Sequence, residues 1–276
     1  MAQESAYGGM AARQVPVEDM QTRVRRTLAT TGTLILVWIG IGFLLAIIFT
    51  RVIGLDLSFM RQWFAFIAIG LPMTLFVSVV SICFAMVLAL FGALGRLSKN
   101  PVLFGISTFY VSLIRGTPLL VQVYFVYLAL PQVGIVLDAV PAGIIALSVC
   151  YGAYLTETFR AGIQSIGYGQ TEAAYALGMT YAQCMRRIIL PQAFRVVIPP
   201  VGNEFVAMLK DSSLVSVMGV WEILFRAQKI GRQYFRSMET LIIAALFYWM
   251  LVIVFQTVQA RLEARMARSE RELAAH

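Results

Sequence analysis

Charged and hydroxyl-bearing side chains interrupt long apolar stretches of this sequence at two places. Arg115 stands just before Gly116 and Pro118 in one stretch, and Lys210-Asp211-Ser212-Ser213 breaks another. An ionisable group at the bilayer centre costs about 3 kcal/mol on insertion scales, and such groups in known spans commonly line solute pathways. A polar break at membrane depth is tolerated only inside protein or against a water-filled cavity. The second group in particular predicts a pathway for a polar solute.

Both groups also have structural interpretations. Arg115 can extend its guanidinium from the end or kink of a span toward water, and Lys210 and Asp211 can neutralise each other. Glu157 and Arg160 have the i, i+3 spacing of a helical ion pair, which we favour over a ligand role. With three nearby polar residues added, the predicted substrate pathway consists of Gln122, Asn203, Glu204, Lys210, Asp211, Ser212 and Ser213.

Several other chemistries lack the residues that they need. None of Lys99, Lys210 and Lys229 follows a glycine, so the sequence has no GxxxxGK phosphate-binding loop. The one histidine is His276, which excludes HExxH metal sites and Ser-His or Cys-His nucleophile pairs. The three cysteines have no metal-binding spacing. We therefore expect no catalytic residue, no metal site and no cofactor bound by this chain.

The composition indicates the class of protein. The chain has 276 residues, of which 59% are hydrophobic and 13% charged, and a mean hydropathy of +0.79. Soluble domains carry about 25% charged residues, so an all-α polytopic membrane protein is predicted. The net charge of +8 does not indicate nucleic-acid binding, because the cations are scattered over segments that flank membrane spans.

Six apolar segments are long enough to cross a bilayer, which needs about 20 helical residues. Most lysines and arginines flank them on one side, which predicts that both termini are cytoplasmic. Pro199-Pro200 and Lys210 to Ser213 are expected to interrupt the fifth segment. The segments are about 31–50, 67–94, 104–130, 139–159, 196–220 and 240–259. The predicted regions are a tail at 1–30, a first span with its outer loop at 31–66, a core at 67–260 and a tail at 261–276.

The loop at 165–191 contains a helical pattern that no membrane span explains. Apolar or small residues recur at Ala173, Leu177, Tyr181, Cys184 and Ile188, the spacing of one helix face. Such a helix can lie on lipid or dock on a partner. Within the loop, Gly178 can adopt a positive φ or admit a close backbone, and Pro191 can end this helix or begin the next.

Residues 172–178 and 188–191, read as EAAYALG and IILP, resemble the EAA loop of ABC importer permeases. Further segments resemble the polar amino acid branch, which includes histidine, glutamine, arginine and glutamate permeases: 70–75, 115–122, 157–160, 199–205 and 210–214. The resemblance covers about residues 70–259 and implies the type I importer transmembrane fold, a five-helix core with one extra N-terminal span here. It also implies that the loop is a coupling helix, which contacts an ATPase through Glu172, Ala173, Ala174, Leu177 and Gly178.

The resemblance further implies a bacterial inner-membrane complex. This chain would pair with a second copy of itself or with a homologous permease, above two ABC ATPase subunits that bind ATP and Mg²⁺. A periplasmic or lipid-anchored binding protein would deliver an amino acid. Within transport, the alternative is another small solute, such as an opine, a polyamine-like cation or a sulfur amino acid. A channel or an intramembrane protease is more remote, since a protease needs two aspartates in spans and Asp211 is the one candidate.

Overall fold

The computed structural model describes residues 32–33, 36–44, 47–48, 51 and 54–274, with side chains described as far as Met266. It divides into two units, Met1–Asp56 and Leu57–His276. In the first unit, residues 36–44 form a helix, α1, within the predicted first span. The predicted tail at 1–30 lies outside the described residues.

The second unit is built from helices, and no strand occurs within residues 54–274. Three tight segments separate or extend these helices: a 3₁₀ turn at Pro131–Val133, a π turn at Met185–Ile189 and a 3₁₀ segment at Ser212–Met218. The helices are α2 Leu57–Ala68, α3 Leu71–Leu97, α4 Pro101–Arg115, α5 Leu119–Ala129, α6 Ala139–Gln164, α7 Tyr168–Ala176, α8 Tyr181–Cys184, α9 Leu190–Asp211, α10 Ile223–Tyr234 and α11 Ser237–Ala274.

Several of these helices are long and apolar enough to cross a bilayer. They are α2 with α3 taken together (Leu57–Leu97), α6 (Ala139–Gln164) and α11 as far as Met266 (Ser237–Met266). A further candidate is the pair Pro101–Arg115 and Leu119–Val133, whose two helices are bent by 105°. α9 is more polar, but its 22 residues extend about 33 Å, which also matches a bilayer. The prediction of an all-α polytopic membrane protein is confirmed.

The region predicted as an outer loop before residue 67 is partly wrong, because residues 57–66 belong to helix α2. Arg61 and Gln62 lower the hydropathy there, yet the opposite face of the helix is apolar. Ile67 is fully buried, and with Met60 and Phe66 it packs against α10 and α11. The boundary between the two units therefore lies at Asp56.

The centre of the second unit is the pair of α3 and α6. Small residues let the two backbones approach closely, as is usual between membrane helices: a Cβ on Gly92 would collide with the Thr156 side chain. Tyr151 and Leu155 of α6 and Met208 of α9 belong to one buried cluster with residues of α3. α9 thereby packs against this pair, and the pair fixes the side chains that α9 carries.

The bend between α4 and α5 is closed by a side chain. Pro118 provides no N–H and α4 ends at Arg115, so carbonyls at its end need other partners. Gln122 Nε2 donates to Ile114 O at 2.7 Å and to Thr117 O at 3.0 Å. The 105° bend is thus stabilised by hydrogen bonds inside the chain.

Of the two interruptions expected in the fifth span, one is absent and one is present. α9 continues through Pro199 and Pro200, and Gln259 Nε2 of α11 donates to Pro199 O at 3.2 Å. Side chains from neighbouring helices commonly supply such contacts around prolines in membrane helices. The second interruption is present, because α9 ends at Asp211 and the chain continues as the 3₁₀ segment.

A buried carboxylate organises the end of the bundle where α10 begins. Glu222 is fully buried and caps α10 by accepting from Leu224 N at 2.9 Å and Phe225 N at 2.6 Å. The Tyr248 hydroxyl of α11 donates to the same carboxylate. Gly70, between α2 and α3, allows the start of α10 to pack closely against it, since a Cβ there would lie 2.6 Å from Ile223 N. Four helices therefore meet at one acidic cap.

Candidate functional site

Residues 165–191, predicted to contain a coupling helix and called the coupling segment below, form two short helices and a π turn instead of the single helix that the spacing predicted. Gly178 separates α7 from α8 with φ +75°, a conformation that costs other residues about 1–2 kcal/mol. The positive φ that the sequence allowed for Gly178 is confirmed. Thr180 then starts α8 as a capping box: its side chain accepts from Gln183 N, and the Gln183 side chain accepts from Thr180 N.

The outward surface of this segment is apolar and aromatic. Leu177 is 78% exposed, and Tyr168, Tyr175 and Tyr181 are exposed beside it. Glu172, Ala173 and Gly178 are exposed too. An apolar surface of this kind, rimmed by polar residues, is typical of a docking site.

Ala174 does not belong to this surface. It is 3% exposed and packs with Cys184 and Ile189 of its own chain. Ala174 thus lies outside the exposed surface of this segment. Cys184, which the helical spacing placed on the same face as Leu177, is buried too.

A polar cluster lies where α4, α6 and α9 meet. The Tyr151 hydroxyl donates to Asp211 Oδ2 at 2.8 Å, and the Arg115 guanidinium lies 5.1 Å from the centre of the Tyr154 ring. Glu204 is half-buried and is under the influence of both the Arg115 and Asp211 charges. One guanidinium and two carboxylates are thus held beside two tyrosines.

The remaining predicted pathway residues are distributed differently. Gln122 serves the bend between α4 and α5, and Asn203 Oδ1 accepts from Gln259 Nε2 at 3.0 Å. Lys210 is exposed and, within residues 54–266, no ion pair joins it to Asp211. Ser212 is buried and donates to Leu209 O at 2.8 Å, while Ser213 is half-buried. The structure therefore brings together Glu204 and Asp211 from the predicted set.

The pair of Glu157 and Arg160 is confirmed as an ion pair, with Arg160 Nη2 2.7 Å from Glu157 Oε2. Arg96 joins it, its Nε lying 3.1 Å from Glu157 Oε1. Arg96 Nη1 also donates to Thr108 Oγ1 at 2.7 Å. This network ties α3, α4 and α6 together at one end of the bundle.

Sequence reasoning missed the tyrosines and undervalued Arg115. Tyr151 and Tyr154 lie three residues apart on α6, so both can face α9, but tyrosines in an apolar helix carry no distinctive signal. The sequence allows Arg115 to be a cation at the end of a span. It does end α4, as that interpretation expected, and it also lies against the polar cluster.

A profile of the family described as "Binding-protein-dependent transport system inner membrane component" matches residues 85–268. The chain belongs to this family. It is 42% identical over 200 residues to the L-cystine transport system permease protein TcyB of Bacillus subtilis (strain 168), covering 72% of this chain and 86% of that protein. It is 37% identical over 218 residues to the arginine transport system permease protein ArtQ of the same organism, covering 79% and 100%.

Solved structures agree with the family. A crystal structure of an amino acid ABC transporter with histidines superposes with a TM-score of 0.72 at 37% identity, over 76% of this chain and 99% of that one. The MetNI methionine ABC transporter shares the fold, with a TM-score of 0.62 at 20% identity over 77% of this chain and 99% of that one. The type I importer fold is confirmed. This permease is a non-enzymatic membrane subunit, and ATP hydrolysis in these systems belongs to a separate ATPase.

Proposed function

We propose that this permease translocates a polar amino acid and that the cluster of Arg115, Tyr151, Tyr154, Glu204 and Asp211 forms part of its pathway. The observation that carries the proposal is the opposite charge within one cluster, in which Glu204 and Asp211 are half-buried and Arg115 is exposed. A zwitterion needs a cation for its carboxylate and carboxylates for its ammonium, and Arg115 with Glu204 and Asp211 supplies both. The tyrosines add aromatic faces for packing and hydroxyls for hydrogen bonds.

The relatives support the same substrate class. Their names refer to cystine, arginine and glutamine, which share the α-amino and α-carboxyl groups and differ in the side chain. A site that binds those two shared groups suits the whole class. The side chain would then be read by residues that differ between relatives.

We also infer that residues 165–191 are the contact with the ATPase. Glu172, Ala173, Leu177 and Gly178 would lie at that contact, and Ala174 would anchor the segment to the permease. Two ATPase subunits, which hold ATP and Mg²⁺, would then move this segment and, through the π turn, α9. Because α9 carries Glu204 and Asp211, the same movement would rearrange the cluster.

The assembly follows from the same inference. The chain would pair with a second copy or a homologous permease, and a periplasmic or lipid-anchored binding protein would deliver the amino acid. Both termini would be cytoplasmic in a bacterial inner membrane. The first unit would supply an extra span, the core would begin at Leu57, and residues 261–274 would continue α11 into the cytoplasm.

The test is uptake of labelled amino acids by proteoliposomes that contain the whole importer. Arg115→Gln and Asp211→Asn should each lower uptake about tenfold or more, since one charge-assisted contact contributes about 1.5–3 kcal/mol. Arg261→Gln, which removes an exposed cation from α11, is the matched control. Wild-type uptake in both cluster variants would contradict the proposal.

A further inference from the structure

A polar cavity lies beside α10, at the end of α9 that is opposite the coupling segment. Its volume is about 800 Å³, within the range of about 300–1,000 Å³ that is usual for ligand sites. Tyr124 and Tyr127 of α5 form one wall, and Lys229 and Arg232 of α10 form another. Residues 216–219, where the 3₁₀ segment ends, also line it.

The cavity has a positive character. Lys229 and Arg232 are three residues apart, so they lie on one face of α10. Tyr124 and Tyr127 have the same spacing on α5, and their hydroxyls can donate hydrogen bonds. None of the described residues that line the cavity is acidic. Two cations and several donors therefore surround a space that lacks a negative group.

The other cations of α10 and its end are already committed to packing. The Arg226 guanidinium lies 5.1 Å from the Phe66 ring centre and donates to Trp221 O at 3.2 Å, and Arg236 Nη1 lies 3.0 Å from Glu239 Oε1.

Lys229 Nζ lies 4.2 Å from the centre of the Trp221 ring, a contact that leaves its hydrogen-bond donors available. Arg232 has no ion pair among the residues with described side chains. Cations are depleted on the outer side of membrane proteins, where we expect α10 to lie. These two thus face a cavity at a position where topology disfavours them.

We propose that this cavity is a carboxylate-binding site, which holds the α-carboxylate of the amino acid before the amino acid reaches Arg115. This inference rests on the proposed function. A planar guanidinium binds a carboxylate through two parallel hydrogen bonds, and Lys229 would add a second positive charge. The two tyrosine rings provide an apolar wall for the rest of the solute.

The test is local protection of a single cysteine. Gln233→Cys places an exposed thiol at the cavity wall in the complete importer, after Cys83, Cys150 and Cys184 are replaced by alanine. L-Arginine or L-glutamine at ten times its dissociation constant should slow N-ethylmaleimide labelling about tenfold. The corresponding α-amides, which lack the carboxylate, should not protect.

Matched variants identify the cations. Lys229→Gln with Arg232→Gln should abolish protection. Arg232→Lys alone should weaken it, since lysine keeps the charge but lacks the planar guanidinium, and Arg261→Gln should not change it. Co-purification of each variant with the ATPase subunits shows that the complex is assembled. Equal protection by acids and amides, or protection that survives loss of both cations, would overturn the inference.

The uptake assay separates this inference from the proposed function. If the proteoliposomes transport these amino acids but the amino acids do not protect the cysteine, the carboxylate site is wrong and the proposed function stands. If the double variant loses only the stimulation of ATPase activity by the binding protein, with protection intact, the cations serve that protein's docking and the carboxylate site is again overturned. Absence of both uptake and protection would overturn both.

Discussion

The Tyr151 hydroxyl donates a hydrogen bond of 2.8 Å to the Asp211 carboxylate, and this contact joins the middle of α6 to the last residue of α9. It replaces the pairing of Lys210 with Asp211 that the sequence allowed. Carboxylates within membrane spans are usually paired, and a hydroxyl donates a hydrogen bond without adding a positive charge. Under the proposed function, this carboxylate would bind the positively charged group of a solute.

Removing the hydroxyl should destabilise the permease and impair transport. Tyr151→Phe leaves Asp211 without its donor, which should lower the free energy of unfolding by about 1–3 kcal/mol. Thermal unfolding of the purified complex measures the loss. Adding Asp211→Asn should recover part of the stability, because the unpaired charge is then absent, while uptake should stay low in both variants. Full uptake by the double variant would show that the contact serves packing alone.

The turn at Gly178 should be essential for ATPase binding. Gly178→Ala strains a residue at φ +75°, and the cost of about 1–2 kcal/mol should reposition Glu172 relative to Tyr181. Less ATPase should then co-purify, and Glu172→Ala should weaken retention as well. Gly169→Ala is the matched control, because Gly169 has open space around it and no positive φ. Normal retention in Gly178→Ala would remove this turn from the contact.

Gly70 should tolerate no side chain. Its added Cβ would lie 2.6 Å from Ile223 N, and the obstructing atom belongs to backbone that Glu222 holds in place. Overpacking of this kind typically costs about 1–3 kcal/mol, so Gly70→Ala should unfold at a clearly lower temperature. Gly105→Ala, in open space on α4, should unfold like the wild type.

Glu222 should make stability depend on pH. Burial raises the pKa of its carboxyl to about 7, against hydrogen bonds from Tyr248, Leu224 N and Phe225 N that lower it. The folded protein then binds more protons than the unfolded chain between about pH 4.5 and 7, so stability should fall as the pH rises through this window. Glu222→Gln should remove this slope in thermal unfolding. An identical slope in the variant would assign the effect to another group.

The orientation of the permease in the membrane can be tested with two exposed positions, one before α9 and one after α10. Phe235, 95% exposed after α10, and Leu177, 78% exposed in the coupling segment, can each be changed to cysteine in the cysteine-free chain. A membrane-impermeant maleimide added to intact cells should label only the cysteine at 235. Labelling of 177 alone would reverse the topology.

The positions of the long helices could be predicted because hydropathy and length decide them. The predicted spans at 67–94 and 139–159 lie within Leu57–Leu97 and Ala139–Gln164. The third segment was predicted as one span at 104–130. Gly116 and Pro118 indicated a kink in it, but not the 105° bend that separates α4 from α5. The extent of α2 could not be predicted, because Arg61 and Gln62 obscure a helix whose apolar face is buried by residues distant in sequence on α10 and α11.

The site was harder to predict because its contacts cross the sequence. Glu204 and Asp211 were identified from their charge in an apolar span, whereas Tyr151 acquires its role only through a residue 60 positions away. In the coupling segment the spacing of apolar residues suggested one helix. The glycine at 178 and the Thr180 to Gln183 capping box were the signals that α8 begins separately, and they outweigh the periodicity.

The π turn at Met185–Ile189 has a mechanical consequence. Leu190 N bonds to Met185 O, so this turn contains one residue more than an α-helical turn would. Conversion of the π turn to an α-helical turn would release its one extra residue. It would rotate α9 by about 100° around its axis and shift it by about 1.5 Å. A small displacement at one surface of the bilayer would thus become a screw motion that turns a whole helix face.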